Sequence, residues 1–405
     1  MTSFASRWGR GVGRDGLGRR ELLLGVGAAL AVLPARRLRA QVVPVEKLNH
    51  RRFKTLQHGL NISQWFEWVP NDRAGMMQRI DGKYQAQDFA QIRALGFDHV
   101  RVTIQPGFLA PNLSKGDPAL SAERVKLFDG AMARITQQGL ALVLDNHPGS
   151  ETKDKMAASD SYRAAVGEWW KAFAGHVASQ PQYDPERTFL ELLNEPEQSF
   201  ADNGKYRAAM DGLIASARAS APNHTLIVGG NMWNVPEAIL YNLKTPFSDA
   251  NLIYTFHYYS PKSFTHQGVA NAGAFYGKLK GVPWGQPPGP MTAAQLAAFD
   301  PSVRDSMQRY AQKGETKADM QPIFTAMRQW CEAHGQVAWV GEFGVHFPVA
   351  PAADREAWTQ AVRELCQENG FGWCMYEARG GFGLFKPGDA RPLTVDKPLL
   401  AALAL

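Results

Sequence analysis

Short apolar runs alternate along this chain with longer stretches in which apolar residues recur at helical spacing. Eight runs rich in branched and aromatic residues lie at 59–62, 99–104, 141–144, 188–193, 226–228, 252–257, 337–340 and 371–375. Each has the length and composition of a strand. Between them, segments at 86–95, 122–138, 162–178, 205–219, 318–334 and 354–367 read as amphipathic helices. The runs are apolar at successive positions, so both strand faces are expected to be buried, as in a parallel sheet covered by helices. Eight such strands predict an α/β fold, a single (β/α)8 TIM barrel; no Gly-rich phosphate loop follows the first run to favour an open doubly wound sheet. One connection breaks the rhythm. Residues 260–316, rich in Gly, Pro and polar side chains around Gly281-Val282-Pro283-Trp284-Gly285-Gln286-Pro287-Pro288, exceed an ordinary loop. Following the sixth strand, they are expected to lie over the face that carries the site.

The start of the chain departs from this pattern. Arg19-Arg20, then Glu21-Leu22-Leu23-Leu24 and an apolar run to about Leu33, have the layout of a twin-arginine export signal. The run is too short to span a bilayer, so no stable membrane anchor is expected. The domain reading is therefore an export signal over 1–40, processed near Ala40, and a catalytic domain over 41–405, with a periplasmic or extracellular destination. The leader also explains the net charge of +6: eight of the 44 basic residues and two of the 38 acidic ones lie within 1–40, leaving 36 of each. A neutral mature chain gives no reason to expect nucleic acid as a partner. Cys331, Cys366 and Cys374 lack metal-ligand spacing, and fit either one disulfide with a thiol left over or three buried apolar groups.

In a barrel of this kind the informative polar residues are those that end the strands. Arg101 is on the second strand, His147 follows the third, Asn194 and Glu195 end the fourth, His257, Tyr258 and Tyr259 end the sixth, and Glu342 ends the seventh. Two carboxylates from different strands, converging on one rim, are what glycosidic cleavage needs: one protonates the leaving oxygen while the opposite face of the sugar is attacked. A cation such as Arg101 beside one carboxylate, and a less polar setting around the other, would separate the two roles. A lone glutamate is most often a solvated surface group, and His147 and His257 alone read as core histidines, so the reading depends on the whole set. No metal-ligand pattern is present, and neither a metal nor another cofactor is expected.

These residues carry a family resemblance. Phe189-Leu190-Glu191-Leu192-Leu193-Asn194-Glu195-Pro196, followed downstream by Val340-Gly341-Glu342-Phe343-Gly344, resembles glycoside hydrolase family 5, a retaining (β/α)8 family that includes cellulases and mannanases. Arg101, Asp145-Asn146-His147 and His257-X-Tyr259 extend the match over nearly the whole mature chain. The resemblance implies Glu195 as acid/base and Glu342 as nucleophile. It implies Asn194 at the sugar 2-hydroxyl, Arg101 and Tyr259 as hydrogen-bond donors to Glu342, and His147 and His257 lining the cleavage subsite. One position departs from the family pattern: Tyr376 stands where a tryptophan platform near the end of the eighth strand is usual, with Trp373 three residues earlier.

Other polar and aromatic residues test the reading. Glu191 shares the pleat parity of Glu195 but lies four residues earlier, about 13 Å deeper in an extended strand, and is expected to be a buried structural carboxylate with a basic partner. That partner could be Arg101, which competes with Arg101 acting beside the nucleophile. Glu377 fits a substrate contact or a rim ion pair equally. Among the 11 tryptophans, Trp65, Trp68, Trp233 and Trp284 are candidate subsite walls. Trp169, Trp170, Trp330 and Trp358 sit in helical segments and are expected to pack.

The expected activity is that of a cellulase-type endo-β-1,4-glucanase acting on a polysaccharide as a monomer. The alternatives keep the mechanism but place it on a mannan, a β-1,3-glucan or a bacterial exopolysaccharide. A barrel that binds carbohydrate without cleaving it is a third reading, disfavoured because both carboxylates are present.

Overall fold

The computed structural model describes residues 47–405; the expected export signal over 1–40 and its processing near Ala40 lie outside the described residues. Eight strands run in order, β1 His58–Phe66, β2 His99–Ile104, β3 Ala141–Asn146, β4 Thr188–Glu191, β5 Thr225–Val228, β6 Leu252–Tyr258, β7 Ala338–Phe343 and β8 Gly372–Met375. They close into one barrel in sequence order, and every neighbouring pair is parallel, β8 returning to β1.

Because side chains alternate across a strand, the doubly apolar runs feed two separate cores. Outward residues such as Leu60, Val100, Leu142, Leu190, Leu226 and Phe256 pack under the helical layer. Inward residues Ala141, Val143, Phe189, Ile227, Ile253, Trp339 and Cys374 fill the barrel, joined by Phe53 and Leu56. Phe53 ends the short helix Leu48–Phe53, which is fastened where β6 begins: Asn49 donates to the Leu252 carbonyl at 2.8 Å. Above this apolar plug the inward positions turn polar. Asn61 pairs in register with Arg101, and Asp145 with Glu191, so these side chains share one layer beneath the C-terminal rim.

The helices expected from periodicity occur as Ala86–Ala94, Ala122–Thr136, Asp160–Ser179, Asn203–Ser220, Lys317–His334 and Ala352–Asn369. Two more, Arg73–Lys83 and Ser150–Ala158, carry too little apolar periodicity to read as helices in the sequence. Between β5 and β6 the chain forms a π-helix, Ala238–Leu243, instead of a regular α-helix. β4 stops at Glu191, short of the expected 193, whereas β7 reaches past the expected 340 to include Glu342.

The excursion over 260–316 is folded. It holds the helix Arg304–Lys313 and a small core of Leu279, Val282, Phe299, Val303 and Met307. All three cysteines are buried and free, so the disulfide alternative does not hold. Trp169, Trp170, Trp330 and Trp358 are core residues. No helix among the described residues is long and apolar enough to cross a membrane.

Candidate active site

A cleft of about 530 Å³ opens at the C-terminal ends of the strands, with His147, Glu195, His257, Tyr259, Glu342 and Tyr376 in its wall. Strand ends deliver them as the sequence suggested, but the contacts among them come from register and turns.

Glu342 lies on β7 and is 5% exposed. Its two oxygens are separately held: Oε1 accepts from Arg101 Nη1 at 2.6 Å and Oε2 from the Tyr259 hydroxyl at 2.9 Å. Glu195 follows the end of β4 with φ 43°, a left-handed conformation that non-glycine residues rarely adopt and that concentrates at functional sites. The backbone N–H of Asn194 ties this turn to the Asn146 carbonyl at 2.9 Å. Thus aimed, Glu195 Oε1 meets His257 Nδ1 at 2.8 Å, and the same nitrogen lies 3.6 Å from Glu342 Oε2. One oxygen of each carboxylate and a His257 ring nitrogen all fall within 4.8 Å of one another. These three residues have atoms close enough to chelate a cation, but Arg101, Tyr259 and His257 already occupy carboxylate oxygens as hydrogen-bond partners.

Arg101 resolves its two competing readings by satisfying both. Fully buried, it forks onto Glu191 through Nε at 2.6 Å and Nη2 at 3.0 Å, and onto Glu342 through Nη1. Nη2 also reaches Asn194 Oδ1 at 2.8 Å and Asp145 Oδ2 at 3.0 Å, while Nη1 reaches Asn61 Oδ1 at 2.8 Å. Glu191 is therefore the buried, paired carboxylate expected. A single guanidinium stands between it and Glu342. The chain leaves β4 at Glu191, so the step from there to Glu195 is a turn rather than extended strand.

Protonation follows from this crowding. Burial raises the Glu195 carboxyl, but the His257 hydrogen bond and positive charge outweigh it and hold the group at about 2. For His257, burial lowers the pKa, yet Glu342 and Glu195 together raise it above the ordinary 6.5. Both shifts favour the ion pair, carboxylate beside imidazolium. His147 is lowered by burial but raised more by Glu67 and Asp145, to about 9. Its Nδ1 contacts Asp145 Oδ2 at 2.7 Å, and Asn194 Nδ2 approaches its Nε2 at 3.2 Å.

The aromatic candidates separate sharply. Trp233 is 40% exposed, lines the cleft, and its backbone N–H donates to the Pro196 carbonyl at 2.7 Å, next to Glu195. Tyr376 faces the cleft with Phe382, whereas Trp373 packs outward beside Phe97 and Phe343. Trp65, expected as a subsite wall, is instead fully buried: its ring packs against Tyr84 and Phe89 and its Nε1 donates to the Ile80 carbonyl at 3.0 Å. The strand irregularity between Ile62 and Phe66, with Gln64 at φ 56°, places the tryptophan under the helical layer. Trp284 is likewise buried, its ring beside Phe264, and Trp68 is 69% exposed outside the cleft. Glu377 lies outside the cleft wall and forms no ion pair among the described residues. It is buried, bonded to the Ser63 hydroxyl and approached by the Phe382 N–H at 3.4 Å.

Two carboxylates had no role assigned from sequence, Asp145 entering only as part of Asp145-Asn146-His147 and Glu67 not at all. Asp145 joins Arg101 to His147, and its inward parity with Ala141 and Val143 was the available signal. Glu67 accepts from Thr103 Oγ1 at 2.5 Å and from the Gln64 N–H at 2.6 Å, 3.9 Å from His147. Between Trp65 and Trp68, just beyond an expected strand, it reads as a solvated loop residue.

Comparison with known proteins agrees with this geometry. The sequence profile of the cellulase family, glycosyl hydrolase family 5, matches residues 63–381. Endoglucanase 3 of Fibrobacter succinogenes is 25% identical over 372 residues, covering 86% of this chain and 53% of that protein, so the chain spans about half its length. Cellodextrinase A of Ruminococcus flavefaciens is 23% identical over 321 residues, 77% of this chain and 82% of its own. Among solved structures, the endoglucanase Cel5A of Thermotoga maritima superposes with a TM-score of 0.69 at 24% identity, covering 88% of this chain and all of that one. The cellulose synthase subunit Z of Clostridioides difficile gives 0.66 at 23% identity, with 86% and 99% covered.

Proposed function

The chain belongs to the cellulase family, glycosyl hydrolase family 5, and from that footing we propose that it is an endo-acting β-1,4-glucanase working by double displacement with retention. The observation that carries the reading is the placement of two carboxylates, oxygen to oxygen within 4.8 Å, at the ends of β4 and β7 in one cleft. Retaining enzymes hold their carboxyl groups about 5–5.5 Å apart, whereas inverting ones leave roughly 6.5–9.5 Å for a water.

Glu342 attacks the anomeric carbon. Arg101 and Tyr259 each hold one of its oxygens, which fixes its orientation. Glu195 delivers the proton to the leaving oxygen. Donation requires the proton shared with His257, one hydrogen bond away, to lie on Glu195, which leaves the imidazole neutral. The step is coupled to the chemistry: the charge of Glu342 helps keep His257 protonated, and forming the glycosyl ester removes that charge. The pair gives up its proton as the ester forms. Glu195 then deprotonates the incoming water, and the pair regains its proton as the ester is cleaved.

Trp233 and Tyr376 line the cleft and are available to pack against pyranose rings. The twin-arginine motif supports export to the periplasm or beyond, where a polymeric substrate would be met. Release of reducing ends from hydroxyethylcellulose, with a fall in viscosity preceding it, is the expected result; cleavage of mannan or β-1,3-glucan without cleavage of the cellulosic polymer would refute the substrate assignment. Product anomers followed by NMR test retention.

A further inference from the structure

A second and larger cavity, about 780 Å³, lies on the other side of the loop that follows β8. That loop turns Tyr376 and Phe382 toward the cleft and Arg379, Gly380, Gly381 and Lys386 toward the cavity. The facing wall is the helix Arg73–Lys83, which supplies Arg79 and Lys83, with Gln64 from the end of β1. Its size suits a sugar-sized group. A polymer crossing the barrel rim past Tyr376 toward β1 would meet it next.

Its charge is unlike that of the cleft. Four cations line it, Arg79, Lys83, Arg379 and Lys386, against one acid, Asp389, already bonded to Arg379 at 2.6 Å. Glu377 lies behind Gly380, but its carboxyl is turned to Ser63 and the Phe382 N–H. Arg379 is held by the Lys83 and Gly388 carbonyls as well as Asp389, whereas Arg79 and Lys83 are only partly satisfied by protein. Arg79 spends one N–H on the Gln64 carbonyl at 2.9 Å and Lys83 one on the Ser63 carbonyl at 2.9 Å, both neutral acceptors. Lys386 is exposed, at the mouth. Crowding is visible in Lys83. Burial foremost, with the like charges of Arg79 and Arg379 adding and Glu377 and Glu67 opposing, brings it down to about 8. Like charges gathered in a half-enclosed space disfavour one another, and a bound anion relieves that repulsion.

We propose that this cavity binds an anionic substituent, a carboxylate or a phosphate, carried by the glucan whose backbone the neighbouring cleft cleaves. The proposal rests on the glucanase reading above and narrows it to a decorated polymer.

The test compares the full chain with its Arg79→Gln/Lys386→Gln variant on neutral hydroxyethylcellulose, carboxymethylcellulose and phosphorylated cellulose. The ratio of kcat/KM on an anionic polymer to that on the neutral one should fall about fivefold in the variant. It should fall similarly for the parent in about 0.5 M salt. Whichever anionic polymer loses more identifies the substituent. An unchanged ratio on both overturns the proposal. Since Arg79 also holds Gln64, Lys386→Glu, at an exposed position, provides a second variant that should lower the ratio through charge alone. If the parent cleaves none of the three polymers, the glucanase reading is what fails. Calorimetric titration with cello-oligosaccharides oxidised to contain glucuronate then probes the cavity directly, and equal affinity of parent and variant, or none, rejects it.

Discussion

His257 Nδ1 and Glu195 Oε1 stand 2.8 Å apart, and each group moves the other's pKa in the direction that favours an ion pair. Glu195, depressed from 4.5 to about 2, contributes stability that is present above pH 4.5 and lost as pH falls toward 2. His257, raised from 6.5, contributes stability that is present below pH 6.5 and lost as pH rises through its folded value. Both contributions are complete only between pH 4.5 and 6.5. The melting-temperature deficit of His257→Gln should therefore peak in that window, at about a few degrees, and narrow on both sides. A deficit that stays constant from acid to alkaline pH would rule out the pair as the cause.

The two carboxylates should fail differently. Glu342→Gln removes the attacking oxygen and is expected to lower kcat/KM roughly 10⁴-fold or more on every substrate. Glu195→Gln should cost about 10²–10⁴-fold on polysaccharide. It should still form a glycosyl-enzyme from an activated aryl glycoside, whose leaving group needs no proton. Mass spectrometry of the labelled protein distinguishes the cases; label on Glu342→Gln, or none on Glu195→Gln, would reverse or void the assignment.

Arg101 is the shared cation of three carboxylates, Asp145, Glu191 and Glu342, in the barrel interior. Replacing it by Met leaves those charges without their cation, and breaking a buried pair typically costs about 3–5 kcal/mol. Arg101→Lys keeps the charge but cannot fork onto Glu191 and Glu342 together, so it should lie between the parent and Arg101→Met in urea unfolding. Equal stability of all three proteins would show that the network contributes nothing.

Glu377 gives a pH effect of opposite sign to Glu195. Burial raises its carboxyl from 4.5 to about 7, with the Ser63 and Phe382 hydrogen bonds and Lys83 opposing. Its neutral form is the one the fold accepts, so this contribution is present below pH 4.5 and lost as pH rises through about 7. Glu377→Gln, permanently neutral, should gain on the parent in melting temperature between those values, by about a few degrees, and hold that gain above them. Thermal melts from pH 4 to 9 read this directly, and a difference that shrinks as pH rises would contradict the assigned direction.

The sequence by itself determined the barrel, because strand length, doubly apolar faces and intervening helical periodicity are local properties that survive any detail of packing. It also placed Glu195, Glu342 and His257 at the working rim, since strand ends are counted along the chain, and Arg101 on the second strand beneath them. Tertiary structure alone decided how those groups engage. Arg101 touches Glu191 and Glu342 together because inter-strand register and the turn after Glu191 bring three strands to one guanidinium. Trp65 is buried and Trp233 exposed although each lies near a strand end, because an irregularity in β1 aims one ring under the helices while the turn after β5 leaves the other in the cleft. Arg79 and Lys386, from opposite ends of the described chain, share a cavity only because β8 closes on β1. Distances between side chains on different elements depend on closure and register, which no local pattern encodes.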